Sequence, residues 1–199
     1  MKTTEIICVM DRSWSMIGSE GEVMGAFNHF IKEQKKLKDV GQARVTLIFF
    51  DNVIETIYEK VNVREVSKLT NKQYFVRGST ALYDAVGHAI HSVKPKKKNV
   101  ILMIQTDGEE NSSREYSGDE VRKLVKKKEK LGWDIRFIGS DLSQKEAVRF
   151  SSVIGIDMGK TVVFGKSAKG FDDMRSYMSS STASYRAGDT PVEDVNPGL

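Results

Sequence analysis

The chain has little of what small secreted domains and zinc centres depend on: one cysteine, three histidines and three prolines in 199 residues. A single cysteine excludes an intrachain disulfide framework, and Cys8, set in the apolar run from Ile6 to Met10, reads as a buried strand thiol suited to a reducing compartment. The histidines are His29, His88 and His91. The last two stand three apart on a helical segment, but third and fourth ligands for zinc are missing. Long hydrophobic runs are also lacking. The N-terminal apolar stretch follows one lysine, is too short for a bilayer span or a signal-peptide core and has no small-residue cleavage pattern, so it is expected to be the first strand of a cytoplasmic protein with no membrane contact. Neither sign of charge dominates. A formal net charge of +4 and a pI near 9.0 allow acidic partners without requiring them.

What is present is an alternation of apolar runs with segments of helical period. Strands are expected over 5–10, 44–50, 53–60, 99–106, 134–138 and 161–164, and helices over 22–37, 80–93, 118–131, 143–150 and 165–187. That order predicts an α/β fold with a mostly parallel sheet covered by helices on both faces. The run 53–60 alternates and follows Phe50-Asp51-Asn52 after a short turn, so it is expected to pair antiparallel with its predecessor at an edge. Ser117 or Asp119 is the expected start of the third helix and Gly132 its stop. No repeat or linker divides the chain, which reads as one domain over 1–187, long enough to bury roughly 70% of its unfolded surface. Residues 188–199, with two prolines, two glycines and three acids, read as a mobile tail.

Five oxygen-bearing residues in three separated pieces stand out: Asp11, Ser13 and Ser15 in Asp-Arg-Ser-Trp-Ser, Thr80 in Arg-Gly-Ser-Thr-Ala, and Asp107 in Gln-Thr-Asp-Gly-Glu-Glu-Asn. Each piece alone has an ordinary reading. Asp and Ser bond their own backbone in polar turns, Thr80 suits the N-cap of the next helix, and Asp107-Gly108 suits a strand-ending turn. Together they say more, because Asp11 and Asp107 each close a buried apolar run, and open α/β sheets bind ligands beyond the carboxyl ends of their strands where strand order reverses. Carboxylate, hydroxyl and water oxygens suit a hard divalent cation, Mg²⁺ first, with Mn²⁺ or Ca²⁺ of like chemistry, and they leave positions for an incoming acidic group.

In these three motifs, taken in order, the chain resembles the von Willebrand factor A (VWA) domain family over nearly its whole length. Its Asp-x-Ser-x-Ser, distant Thr and Thr-Asp-Gly turn are similar to the family's metal-ion-dependent adhesion site (MIDAS). The resemblance implies a Rossmann-like six-stranded sheet of order 3-2-1-4-5-6 with the third strand antiparallel. It also implies direct coordination by Ser13 and Ser15, Asp11 acting through water and the serine network, and Thr80 and Asp107 exchanging direct and water-mediated roles. Family members mostly bind proteins, the partner supplying an Asp or Glu to the cation, and intracellular ones serve multi-protein systems. An adaptor without catalysis is therefore the expected function. Around the five residues, Glu109 and Glu110 read as a solvated loop, while Arg12 and Trp14 alternate with the site residues and are open between partner contact and packing.

Other patterns weigh less. Gly159-Lys160-Thr161 and Gly165-Lys166-Ser167 lack the glycine spacing of a phosphate loop, and no nucleophile turn of the G-x-S-x-G kind is present. A cation-dependent phosphohydrolase or phosphotransferase built on Asp11 is an alternative, yet the haloacid-dehalogenase-like pattern would place a second Asp where Ser13 stands, and without it the acid/base partner is missing. Nucleic-acid binding through Lys94 to Lys98 and Lys126 to Lys128 is another; no reading motif accompanies those charges, and solvated faces are the default.

Overall fold

The computed structural model describes residues 2–188, so the expected tail lies, Gly188 apart, outside the described residues. The order is β1 (Thr4–Asp11), α1 (Glu20–Lys36), β2 (Ala43–Phe50), β3 (Ile54–Asn62), α2 (Leu82–His91), β4 (Val100–Thr106), α3 (Gly118–Glu129), β5 (Asp134–Ser140), α4 (Gln144–Val153), β6 (Thr161–Phe164) and α5 (Ala168–Ala187). The six strands form one sheet of order β3-β2-β1-β4-β5-β6. Only the β2–β3 pair is antiparallel, as the alternation in 53–60 predicts.

Every residue of β1 is buried, because helices cover both faces of the sheet centre. Ile6, Cys8 and Met10 face one layer with Phe27 and Phe30 of α1 and Phe171, Met174 and Met178 of α5. Ile7 and Val9 face the other with Leu82 and Val86 of α2 and Val121 and Val125 of α3. Each such aliphatic side chain contributes about 1.5–3 kcal/mol when fully buried, so the central strands are held by packing rather than by local propensity. The same holds for α5, whose serine-rich stretch stays helical because Thr182 and Ser181 are buried against the sheet side.

Local chemistry sets the helix starts. Ser117 and Ser143 each accept the backbone N–H three residues on, and Glu120 and Glu146 reach back to complete capping boxes before α3 and α4. Gly132, at φ +89, follows α3, which ends three residues earlier. One expected cap is corrected. Helix α2 begins at Leu82 after Ala81, without a side-chain cap. Thr80 lies one position outside, its N–H bonded to Asn111 Oδ1 and its carbonyl accepting from the N–H groups of Asn111 and Ser112.

Candidate metal centre

Parallel pairing of β1 with β2 and β4 brings the ends of these strands level: Asp11 lies opposite Phe50, and Met10 opposite Gln105. The Asp11 carboxylate is therefore delivered, fully buried, next to Thr106 at the switch point between β1 and β4. Its Oδ1 accepts the Ser13 N–H at 2.7 Å and its Oδ2 accepts the Thr106 hydroxyl at 2.5 Å. Tyr74 donates its hydroxyl to the Asp11 carbonyl at 2.6 Å, fixing the strand end from behind. Burial pushes the Asp11 carboxyl up to about 6, against the lowering effect of the Ser13 and Thr106 hydrogen bonds, and the nearby Asp107 charge adds to the rise.

In front of Asp11 the oxygens form a row toward solvent. Ser13 Oγ is 3.0 Å from Ser15 Oγ, and Ser15 donates to Asp107 Oδ1 at 2.5 Å. Gly108 locates Thr80: a Cβ added there would lie 3.3 Å from Ser15 Oγ and 3.6 Å from Thr80 Oγ1, so the two hydroxyls border the same small space. All five predicted oxygen-bearing residues thus converge. Among the described residues no group of three or more His, Cys, Asp and Glu is suited to a metal ion, and a cation here would rely on hydroxyls and two carboxylates, the donors that hard divalent ions accept. The residues present fit such an ion.

The loops carrying these side chains are tied to one another. Arg77 donates its N–H to the Arg12 carbonyl at 2.8 Å and Trp14 donates to Gly78 at 3.1 Å. Gly78 sits at φ +66, and a Cβ there would fall 1.9 Å from Asn52 Oδ1, so the turn before Thr80 requires glycine. Arg12, left open between partner contact and packing, is fully buried: its Nε is 2.7 Å from Asp51 Oδ2 and its Nη1 2.7 Å from Glu55 Oε2. Trp14 is the opposite, 60% exposed beside the serines, as is Ile17.

Behind Asp107, the loop before α3 is organised by two acids of which one was expected to be solvated. Glu110 accepts the N–H groups of Tyr83, Ser112 and Ser113 and the Ser113 hydroxyl. Tyr83 N–H is an orphan donor in the first turn of α2, which is why an acid is drawn in. Glu109 does lie exposed, paired with Arg149. Asp84 accepts the N–H groups of Arg114, Glu115 and Tyr116.

Sequence reasoning missed Thr106, Asp84 and Lys166. Thr106 stands in the Thr-Asp-Gly turn already singled out, a signal that was available. Lys166 had none: its glycine-lysine pattern suggested only a failed phosphate loop, whereas its Nζ is 2.7 Å from Asp107 Oδ2 and 2.9 Å from the Ser15 carbonyl. Elsewhere, His88 and His91 are exposed on α2. Cys8 is buried, its thiol pushed up to about 12 by desolvation. The lysine clusters lie at the far end of the sheet, where Lys94, Lys96, Lys98 and Lys127 are exposed as expected and two others are drawn in. Lys128 is buried, with Nζ 4.6 Å from the Trp133 ring centroid and bonded to the Pro95 carbonyl, and Lys97 reaches the Thr3 carbonyl. No helix among the described residues is long and apolar enough to cross a membrane.

No protein-family model and no curated protein matches the chain. Solved structures do. Proximal thread matrix protein 1 from the mussel byssus, in a form with a zinc-occupied MIDAS motif, superposes with a TM-score of 0.63 at 17% identity over 92% of this chain and 46% of that one. BatB from Bacteroides thetaiotaomicron gives 0.56 at 15% identity over 89% of this chain and 98% of that one. The pilus adhesin SpaC from Lactobacillus rhamnosus GG, in its open conformation, gives 0.64 at 12% identity over 94% and 30%. The chain therefore spans less than half the length of the mussel and pilus proteins. Sheet order, the one antiparallel strand and these likenesses together identify the fold as that of a von Willebrand factor A-like domain.

Proposed function

We propose that the chain is a divalent-cation-dependent protein-binding module that captures an acidic side chain of a partner protein. Asp11, Ser13, Ser15, Thr80 and Asp107 would hold the ion. When bound, the ion would supply an electrophilic position for the partner's aspartate or glutamate, because a shell rich in neutral hydroxyls leaves part of its charge uncompensated. The observation that carries this reading is the row of oxygens from Ser13 through Ser15 to Asp107, at 3.0 and 2.5 Å, backed by a buried carboxylate that has no ion-pair partner among the described residues. The zinc-occupied MIDAS motif of the mussel protein adds support for a divalent ion at this place in the fold. Oxygen-only donors favour Mg²⁺, with Mn²⁺ or Ca²⁺ as substitutes.

The role is binding rather than catalysis. A phosphotransferase built on Asp11 would need an acid/base partner, and Ser13 stands where the haloacid-dehalogenase-like pattern has its second Asp. Trp14 and Ile17 form an exposed apolar rim suited to a protein partner. We assign the module to an adaptor of a cytoplasmic multi-protein complex, in keeping with its single buried thiol.

Calorimetric titration with Mg²⁺, Mn²⁺ and Ca²⁺ tests the site. Binding is expected for the native chain and lost in Asp11→Ala and Ser13→Ala, with far-ultraviolet circular dichroism retained. Equal affinity in both variants would exclude the assigned residues. A partner retained equally on immobilised protein with and without chelator would move the interaction to another surface.

A further inference from the structure

The turn between β6 and α5 carries a positive charge into the candidate centre. Lys166 Nζ is 2.7 Å from Asp107 Oδ2 and 2.9 Å from the Ser15 carbonyl, while Asp107 Oδ1 already takes the Ser15 hydroxyl at 2.5 Å. Both Asp107 oxygens are thereby engaged, in a side chain that is only 2% exposed. An ion that draws on Asp107 meets an ammonium already in contact with it, and the repulsion between the two positive charges at that distance in a partly dehydrated site favours withdrawal of the mobile ammonium.

The turn is tight and the lysine stem is not. The Ser167 N–H bonds the Gly165 carbonyl at 2.8 Å, the Ser167 hydroxyl accepts from Gly170 at 3.0 Å, and a Cβ on Gly170 would fall 2.1 Å from the Gly165 oxygen. The Lys166 side chain, 26% exposed, has open water beside it. A rigid anchor with a flexible four-carbon stem lets the ammonium enter or leave without moving the sheet.

We infer that Lys166 is a built-in competitor for the cation: its ammonium neutralises Asp107 in the cation-free state and must be displaced before the ion binds. This inference rests on the reading of the centre as a cation site. Lys166 then sets the ion concentration at which the module becomes able to bind its partner, because the apparent affinity is the intrinsic one multiplied by the fraction of time the lysine is withdrawn. A contact held most of the time lowers affinity by roughly three- to tenfold, the range expected of a partly exposed charge pair.

The test is Mg²⁺ and Mn²⁺ titration of the full chain, native and as Lys166→Met and Lys166→Arg, by calorimetry. Lys166→Met keeps most of the stem and removes the charge, and is expected to bind roughly three- to tenfold more tightly; Lys166→Arg keeps the charge and is expected to stay at or below native affinity. A native chain that binds, together with a Met variant that binds equally or more weakly, would overturn the competitor role and leave the cation site standing. Binding by the Met variant alone would support both. Failure of native and Met chains alike to bind either ion would remove both.

Discussion

Two neighbouring parallel strands run out into aspartates that are fully buried, and the chain neutralises them in different ways. Asp51, just past β2, is held by two arginines: Arg12 Nε at 2.7 Å and Arg77 Nε at 2.8 Å both reach Oδ2, and Oδ1 takes the Val53 N–H at 2.7 Å. The Arg12 guanidinium lies over the rings of Phe75 and Phe49. Asp11, ending β1, receives only neutral donors and is pushed up to about 6 by burial. Removing a carboxylate from water costs several kcal/mol unless a partner charge offsets it. For Asp51 the offset is internal and permanent. For Asp11 it is incomplete, and a buried charge left in that condition at the mouth of a sheet is what the proposed cation site requires.

The comparison is broken most directly by removing each acid in turn. Asp51→Asn removes the buried charge that Arg12 and Arg77 share, leaves buried Arg12 with the half-exposed Glu55 as its remaining acid partner, and is expected to destabilise the fold by about 3–5 kcal/mol in urea unfolding followed by circular dichroism. A loss below about 1 kcal/mol would deny Asp51 its structural role. Asp11→Asn keeps the shape and removes an uncompensated charge. Its stability in chelator is expected to stay within about 1 kcal/mol of native or to rise, while Mg²⁺ affinity falls by roughly 100-fold or more, at the upper end of what loss of a supporting group around a metal does. If Asp11→Asn unfolds the chain as Asp51→Asn does, the two acids do the same work and the distinction fails.

A smaller effect sharpens the contrast. Thr106→Val deletes the hydroxyl that donates to Asp11 Oδ2 and leaves a buried carboxylate oxygen without that bond, an expected cost of about 1–3 kcal/mol in unfolding. In the Asp11→Asn background the same substitution is expected to cost measurably less, because the charge it served is gone. A double-mutant cycle with no coupling would separate Thr106 from Asp11.

The difference between these acids also shows how far the sequence was legible. The antiparallel edge and the strand ends that carry Asp11 and Asp107 follow from apolar runs and turn residues that are local in the chain, whereas the sheet order that brings Asp11, Ser13, Ser15, Thr80 and Asp107 together was implied by the resemblance of the three motifs to the VWA family. Partners that come from remote segments are not local. Arg12 sits between two site residues, and only the arrival of Asp51, Glu55 and Phe75 decides that it is buried. Glu110 looked like any loop acid until the first turn of α2 presented it with an orphan N–H. Lys166, 59 residues from Asp107, reaches the site through the packing of β6 and α5, which no spacing rule encodes. Burial of Thr80 beside Gly108 likewise overrode the cap its residue type suggests.

The smallest expected effect is a null one, and Cys8 supplies its probe. The thiol lies on β1 three residues before Asp11, is 1% exposed and is pushed up to about 12. Near pH 8 the thiolate is then a minute fraction of the population, so a disulfide reagent is expected to label the native chain at least roughly 100-fold more slowly than the urea-unfolded chain, through opening of the sheet. Labelling thereby reports the free energy of opening β1. Asp51→Asn, which takes the buried acid partner from Arg12 on the loop that β1 leads into, is expected to accelerate it. Asp11→Asn in chelator is expected to leave the rate within about twofold of native, because its carboxylate receives only neutral donors and its loss strands no buried charge. Equal acceleration in both variants would mean that Asp11 is a structural acid after all.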